Sequence, residues 1–232
     1  MNFSAYRGAD RRPLARKLLV LGLLTPFVWS CAKYPTATAD AQGRLQGNGF
    51  RVTLPQGEGW ILKEEKSSSI VFEKNTKPRE EDREKRPKFV HARLGVESLP
   101  AGKAQSADAA GFPDAAKAIL AKRYDGISDD FEDIERSSLV ELTVEPYSKN
   151  GAPCVTFKAR QIEPAPIQQS VEQMVYEYVN RGFLCRHPQN SAVVLHAYIN
   201  ETNYRNNPRP LDPETEKEAD KFFQDIEFTP AR

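Results

Sequence analysis

The chain has 232 residues, and its 33 lysines and arginines against 32 aspartates and glutamates give a formal net charge of +1. Nucleic-acid-binding proteins usually carry a strongly basic footprint, so this balance argues against a nucleic-acid partner. The length beyond the N-terminal segment is sufficient for one sizeable domain with its own hydrophobic core.

The N-terminal segment has the organisation of an export signal. Its first seventeen residues are rich in arginine and contain a single acidic residue, and an apolar run over 18–29 follows. This run has about a dozen residues and is interrupted by Gly22 and Pro26, whereas a membrane-spanning helix needs about twenty apolar residues. We therefore predict a cleavable signal peptide over residues 1–30.

The end of this signal, Val28-Trp29-Ser30-Cys31, resembles the bacterial lipobox. A small residue before the cut admits the signal peptidase, and the cysteine thiol takes a diacylglyceryl group through a thioether. Trp29 departs from the family pattern, which has a small or apolar residue there. The resemblance implies that Cys31 is acylated, with palmitate as a typical chain. In the lipoproteins that this motif resembles, an aspartate directly after the cysteine is the signal for retention in the inner membrane. This chain has Ala32 at that position, so the resemblance implies an outer-membrane lipoprotein that faces the periplasm.

Two alternatives for export stay open. The segment TATADA at 36–41 offers a later cleavage site, which would suit an ordinary secretory signal with an incidental cysteine. The segment DRRPL at 10–14 partly resembles a twin-arginine signal, although Pro13 interrupts the pattern. The sequence therefore does not decide between the Sec and twin-arginine routes.

Two cysteines remain once Cys31 is assigned to lipid. An even pair in an oxidising compartment is typical of a disulfide, here between Cys154 and Cys185. If the strands around them pair antiparallel with the cysteines opposite each other, Lys158 faces Arg181, and like charges directly opposite destabilise a sheet. The sequence therefore leaves the disulfide and two free thiols both open.

The first half of the mature chain consists mainly of strands. Residues 31–48 are polar and lack apolar periodicity, so we predict a flexible linker before a single domain over 49–232. Strands are predicted over 49–55, 60–64, 67–73 and 89–99. The clearest alternation places Val90, Ala92, Leu94 and Val96 on one face. Both charge signs are interleaved over 74–88, which predicts a solvated hairpin loop.

The second half combines one helix with a long series of strands. The helix is predicted over Asp114–Tyr124, with a stripe of Ala115, Ala118, Ile119 and Lys122, and Gly126 follows its end. Strands are predicted over 137–145, 154–162, 174–185 and 192–200. The first of them places Val140, Leu142 and Val144 on one face. Residues 192–200 are apolar on both faces, which predicts a central strand.

Turn and helix signals complete the chain. Asn150-Gly151 predicts a hairpin because both residues tolerate positive φ, and residues 187–190 predict a second turn. The last helix is predicted over Pro213–Gln224, with Asp212 as its N-cap. Its apolar stripe comprises Ala219, Phe222, Phe223 and Ile226. A short strand over 225–229 follows.

Few residues indicate chemistry. The histidines His91, His187 and His196 have no helical i, i+3 or i, i+4 spacing, so we predict no metal site and ordinary surface or half-buried histidines. There is no G-x-S-x-G elbow, and the acidic pairs at 80–82 and 129–130 lack the apolar surroundings that would raise a carboxyl pKa. We therefore predict no catalytic residue, no cofactor and no enzymatic activity.

Three tyrosines allow two interpretations. Tyr176, Tyr178 and Tyr198 have the spacing of residues on predicted strands. They could form an aromatic patch for a sugar or a protein partner. Packing on the face of a sheet is the simpler interpretation.

Two segments carry a resemblance to a known fold. The opening FRVTLPQGEGW at 50–60 and the closing FFQDIEF at 222–228, with one helix and an antiparallel meander between them, resemble the PsbP-like fold shared with the Ran-binding Mog proteins. The segment GFLCRHP at 182–188 is similar to small uncharacterised proteobacterial lipoproteins of that type. The resemblance implies an α+β fold, a mostly antiparallel sheet flanked by helices in an α/β/α sandwich. It also implies a protein that binds other proteins.

The main functional hypothesis is a membrane-tethered, non-catalytic binding or accessory module of the bacterial envelope, with a protein partner. The alternatives are an envelope hydrolase whose residues converge only in the folded chain, and a structural role in envelope integrity.

Overall fold

A seven-stranded antiparallel sheet forms the centre of the structure, a computed structural model that describes residues 38–76, 88–99, 109–125, 137–164, 175–204 and 213–231. The strands are β1 (Thr38–Ala39), β2 (Leu45–Gln46), β3 (Phe50–Val52), β4 (Trp60–Lys66), β5 (Ser69–Thr76), β6 (Lys88–Ser98), β7 (Ser138–Lys149), β8 (Ala152–Pro164), β9 (Val175–His187), β10 (Asn190–Tyr204) and β11 (Glu227–Phe228). The helices are α1 (Phe112–Tyr124) and α2 (Pro213–Asp225). The large sheet has the order β4-β5-β6-β10-β9-β8-β7. The predicted α+β class with a mostly antiparallel sheet is confirmed.

A smaller sheet has the order β1-β2-β3-β11. Its first two strands lie in the predicted linker, so the linker prediction for 31–48 is wrong for the part that the structure describes. The Asp40 carboxylate accepts hydrogen bonds from the backbone N–H groups of Gln42 and Arg44, which closes the turn between β1 and β2. This turn is specified by a side chain bonding the backbone, a signal that apolar periodicity does not contain.

Helix α2 covers one face of the large sheet. The predicted stripe is confirmed, since Ala219, Phe222 and Ile226 are buried in the hydrophobic core between this helix and the sheet, and Phe223 packs against that core. The rings of Phe72 on β5 and Phe222 pack edge to face, with their centroids 5.8 Å apart. Helix α2 is thereby held over the middle strands of the sheet.

Helix α1 covers the opposite face and contacts β7 and β8. Its buried residues recur at every fourth position: Phe112, Ala116, Leu120 and Tyr124. Of the predicted stripe of Ala115, Ala118, Ile119 and Lys122, Ile119 packs against the core, whereas Ala118 and Lys122 are exposed, so the predicted face is wrong. The helix begins at Phe112, before Pro113, and the large aromatic rings at its two ends determine which side faces the sheet.

Most strand predictions are confirmed with changes at their ends. Strand β10 is the central strand, and Asn150 (φ 52°) and Gly151 (φ 78°) form the two-residue turn between β7 and β8. An irregularity between Leu139 and Glu141 leaves Val140 44% exposed, whereas Leu142 and Val144 of the predicted face pack against the core. A bulge of this kind shifts which residues face the core, and Leu139 packs inward instead.

Several predictions lie outside the described residues. They are the signal peptide over 1–30, Cys31, most of the charged loop over 74–88, Gly126 and the N-cap Asp212. Among the helices that the structure describes, neither is long and apolar enough to cross a membrane.

Candidate functional site: a groove beside the C-terminal helix

An open groove lies between α2 and the β7 edge of the large sheet. Because α2 covers the middle strands, the same face of β7, β8 and the adjoining part of β9 stays uncovered beside it. The groove has a cavity volume of about 650 Å³, within the range of ligand-binding clefts. Strand residues form its floor, and the last turns of α2 form one wall.

The strand residues in the groove follow directly from the two-residue period of β-structure. On β7, the side chains of Glu141, Thr143, Glu145 and Tyr147 point to the groove, opposite the apolar face that packs under α1. Their register partners on β8 include Thr156 and Lys158. The floor is therefore polar along most of its length, with an aromatic ring at one end.

The aromatic end of the groove is held in place by contacts with α2. Tyr147 is 42% exposed, and its ring centroid lies 6.3 Å from that of Phe183. The Phe183 ring in turn lies 5.8 Å from that of Phe223 on α2. The Lys149 Nζ donates hydrogen bonds to the backbone carbonyls of Phe223 (3.0 Å) and Gln224 (3.3 Å) at the C-terminus of this helix. Burial lowers the pKa of Lys149.

The charged end of the groove contains two positive side chains that face each other. Their repulsion was the argument against pairing the strands with Cys154 opposite Cys185. Lys158 and Arg181 are direct register partners. The Arg181 Nη1 lies 3.4 Å from the Asp220 carboxylate, and its Nη2 donates to the Glu216 carbonyl at 3.1 Å. Groups on α2 thus offset the repulsion. Lys158 is exposed and has no hydrogen-bond or ion-pair partner within the described ranges, so its ammonium group is free to bind a ligand carboxylate.

The two predicted disulfide cysteines lie beside this groove. Cys154 on β8 and Cys185 on β9 are register partners, and the structure joins their sulfur atoms in a disulfide. Both residues are buried in the core under α2. Because Tyr147 is the β7 partner of Cys154, the bridge crosses the sheet next to the aromatic end of the groove.

The three histidines do not converge. His91 on β6 is partly exposed, with its Nε2 3.0 Å from the Glu73 carboxylate. His187 is the last residue of β9, so the turn is shorter than the predicted 187–190. The residue is buried, so its prediction as a surface or half-buried histidine is wrong. Its Nδ1 accepts a hydrogen bond from the Gln189 N–H, so Nε2 is the donor in the contact with the Thr229 carbonyl at 2.8 Å.

His196 is also buried, on the face of β10 that points toward α1. Its ring lies 4.7 Å from that of Tyr198, centroid to centroid, and its Nε2 is 3.5 Å from the Tyr124 hydroxyl. Burial, with the positive charges of Arg123 and Arg93, lowers its pKa well below the usual value. The surface or half-buried assignment is therefore wrong here too. No group of three or more potential metal ligands occurs among the described side chains.

Packing on the sheet accounts for two of the tyrosines. Tyr198 packs against His196 and Tyr124. Tyr178 donates a hydrogen bond to the Glu163 carboxylate at 2.6 Å, and burial and this carboxylate raise the pKa of Tyr178. Tyr176 is on the same strand as Tyr178, and no ring contact joins the three within the described part of the chain.

Sequence reasoning missed the groove. Its alternation is visible in residues 141–147, where polar side chains occupy every second position. A polar strand face is ordinary in an antiparallel sheet, however, and only the position of α2 makes this face the floor of a groove.

These features define the class of protein: an α+β domain with a helix on each face of its sheet and an open groove beside the second helix. No family model matches the chain, and no curated protein matches it either. Among solved structures, it is similar to the crystal structure of LpqN, described as involved in cell envelope biogenesis of Mycobacterium tuberculosis. The identity is 14% and the TM-score 0.38, and the match covers 79% of this chain and 86% of LpqN. This similarity assigns no function.

Proposed function

We propose that the protein is a lipid-anchored, non-catalytic module of the bacterial cell envelope that binds an extended segment of a partner protein in the groove beside α2. The observation that carries this proposal is the groove itself. It combines exposed aromatic surface, an unpaired ammonium group and a strand edge in one cleft of about 650 Å³.

Strand β7 is the element suited to an extended partner. It ends the strand order of the large sheet, and within the described ranges no strand pairs with its outer edge. The unpaired N–H and C=O groups of such an edge can add a further strand. Between its irregularity at Leu139 and Glu141 and the ring of Pro146, β7 is regular over about five residues, which is the length of a typical strand.

Side-chain chemistry restricts the partner further. Every second side chain of an added strand would lie on the groove side of the sheet. An apolar or aromatic residue fits against the exposed ring of Tyr147, and an acidic residue fits Lys158 on the neighbouring strand β8. The carboxylates of Glu141 and Glu145 favour a basic or neutral residue between these positions. The partner segment is therefore amphipathic and of mixed charge.

The groove is tested by site-specific photo-crosslinking in cells. With p-benzoylphenylalanine in place of Tyr147, we expect one discrete adduct, because this position lies in the groove and is accessible. Adding Lys158→Glu should reduce its yield several-fold, since an attractive charge contact becomes repulsive. The matched control places the same crosslinker at Lys117, an exposed residue of α1. Equal adducts at both positions, or an adduct indifferent to Lys158→Glu, would contradict groove binding.

The anchor is tested separately by metabolic labelling with radioactive palmitate. We expect the wild-type protein to incorporate label and Cys31→Ser to lose it, because acylation needs this thiol. Two or three acyl chains give stable anchoring, so Cys31→Ser should also leave the membrane fraction. The control is the Cys154→Ser, Cys185→Ser double variant, which should keep its label. Label retained by Cys31→Ser would refute lipidation at this position.

A further inference from the structure

A second, smaller pocket lies on the opposite face of the sheet from the groove. On β6, Arg93, Gly95 and Glu97 point to this face, and Gly95 is the register partner of Ser69 on β5 and of His196 on β10. The pocket lies between the arginine and the glutamate, beside Gly95, where a Cβ atom would lie 3.3 Å from the Ser68 carbonyl oxygen. Its cavity volume is about 210 Å³, and His196 forms part of its lining.

The charges around this pocket do not balance. The Glu97 carboxylate is bound by the guanidinium of Arg123 from α1. The Glu64 carboxylate at the rim lies 2.9 Å from Lys66 Nζ. The hydrogen bond from Lys66 lowers the pKa of Glu64, and the charge of Arg93 contributes to this shift. Arg93 makes no hydrogen bond or ion pair with the described residues, so the groups around the pocket, with Arg123 included, carry one positive charge in excess.

The positive groups also repel one another. Burial is the main cause of the lowered pKa values of His196 and Arg123; the charges of Arg123 and Arg93 contribute at His196, and the charge of Arg93 contributes at Arg123. The Arg123 Nε is buried without a hydrogen-bond partner. An anion placed between these groups would relieve the repulsion and accept hydrogen bonds from the guanidinium of Arg93.

We propose that this pocket binds a small oxyanion, a carboxylate or a phosphate, through Arg93. The volume supports a small ligand, because it lies below that of sites for drug-sized molecules. The planar fork of Arg93 binds either oxyanion through two parallel hydrogen bonds, and the Tyr198 hydroxyl in the same lining is a further donor. The site is separate from the groove and does not depend on the proposed partner binding.

Titration of the full chain with sodium phosphate and with sodium acetate tests the proposal, with sodium chloride at equal ionic strength as the reference. The readouts are the thermal midpoint and the imidazole NMR signals of the three histidines, assigned with His196→Asn. We expect one of the two ions to raise the midpoint saturably and to move the His196 signals while leaving those of His91 and His187 in place. A response to phosphate indicates a phosphate site, and a response to acetate indicates a carboxylate site.

Two variants test whether the ion binds at Arg93. Arg93→Gln should weaken binding by at least about tenfold, because a charge-assisted bidentate contact is lost at an exposed position that leaves the core intact. Lys117→Gln, which removes an exposed charge from α1, should bind as the wild type does. The proposal is overturned by the absence of saturable binding of either ion, by His196 signals that do not respond, or by equal affinities of wild type and Arg93→Gln.

Discussion

Removing the Cys154–Cys185 disulfide is expected to lower the free energy of unfolding by about 3.7 kcal/mol. The bridge joins residues 31 positions apart, and the loss of loop entropy that it imposes on the unfolded chain has this size. The measurement is urea unfolding of wild type and of the Cys154→Ala, Cys185→Ala double variant, both without reductant. A loss of this size is a large fraction of the stability of an ordinary domain.

Thiol titration decides whether the bridge forms. Because both cysteines are buried, the assay is made in urea without reductant, where a disulfide-bonded pair contributes no reactive thiol. Cys31→Ser is the matched control, since it removes the third cysteine and leaves the pair intact. Two reactive thiols in Cys31→Ser, or equal urea midpoints for wild type and the double variant, would count against the disulfide.

The Glu218→Ala substitution is expected to cost about 3 kcal/mol of stability. Glu218 is a buried carboxylate on α2 that accepts hydrogen bonds from the Trp60 Nε1–H at 2.9 Å and from Lys74 Nζ at 2.6 Å. Removing it leaves the partly buried Lys74 ammonium group and the buried indole N–H without their partner. Urea unfolding followed by Trp60 fluorescence measures the loss and reports the environment of this ring directly.

Two further variants separate the ion pair from general damage to α2. Glu216→Ala removes an exposed carboxylate of the same helix and should cost less than about 1 kcal/mol. Adding Lys74→Met to Glu218→Ala should recover part of the loss, because the unpaired buried charge is then gone. A similar cost for Glu216→Ala and Glu218→Ala, or no recovery in the double variant, would show that the buried pair is not the cause.

Glu218 also explains a feature of the segment that carries the fold resemblance. Gly57 in QGEGW has a φ of 124°, and a Cβ atom there would lie 1.8 Å from a Glu218 carboxylate oxygen. Only glycine allows this approach between the loop after β3 and α2. The segment is therefore shaped by a contact with a helix near the other end of the chain.

Local patterns determined much of the sheet. The two-residue alternation located β6, the apolar run over 192–200 identified β10 as central, and Asn150-Gly151 specified its turn through the positive φ that both residues adopt. The register with Cys154 opposite Cys185 was one of the alternatives that the sequence left open. Each of these features depends on residues that are close in sequence or on a simple pairing rule.

Only the tertiary structure decided what covers each face. The repulsion between Lys158 and Arg181 argued against the correct register until Asp220 of α2 came beside Arg181. The position of α2 also turned an ordinary polar strand face into a groove, and the pocket beside Gly95 forms only where β5, β6 and β10 meet. Periodicity shows which residues share a face, but burial and charge pairing depend on segments far away in sequence, so the sequence alone determined the strands and not the sites.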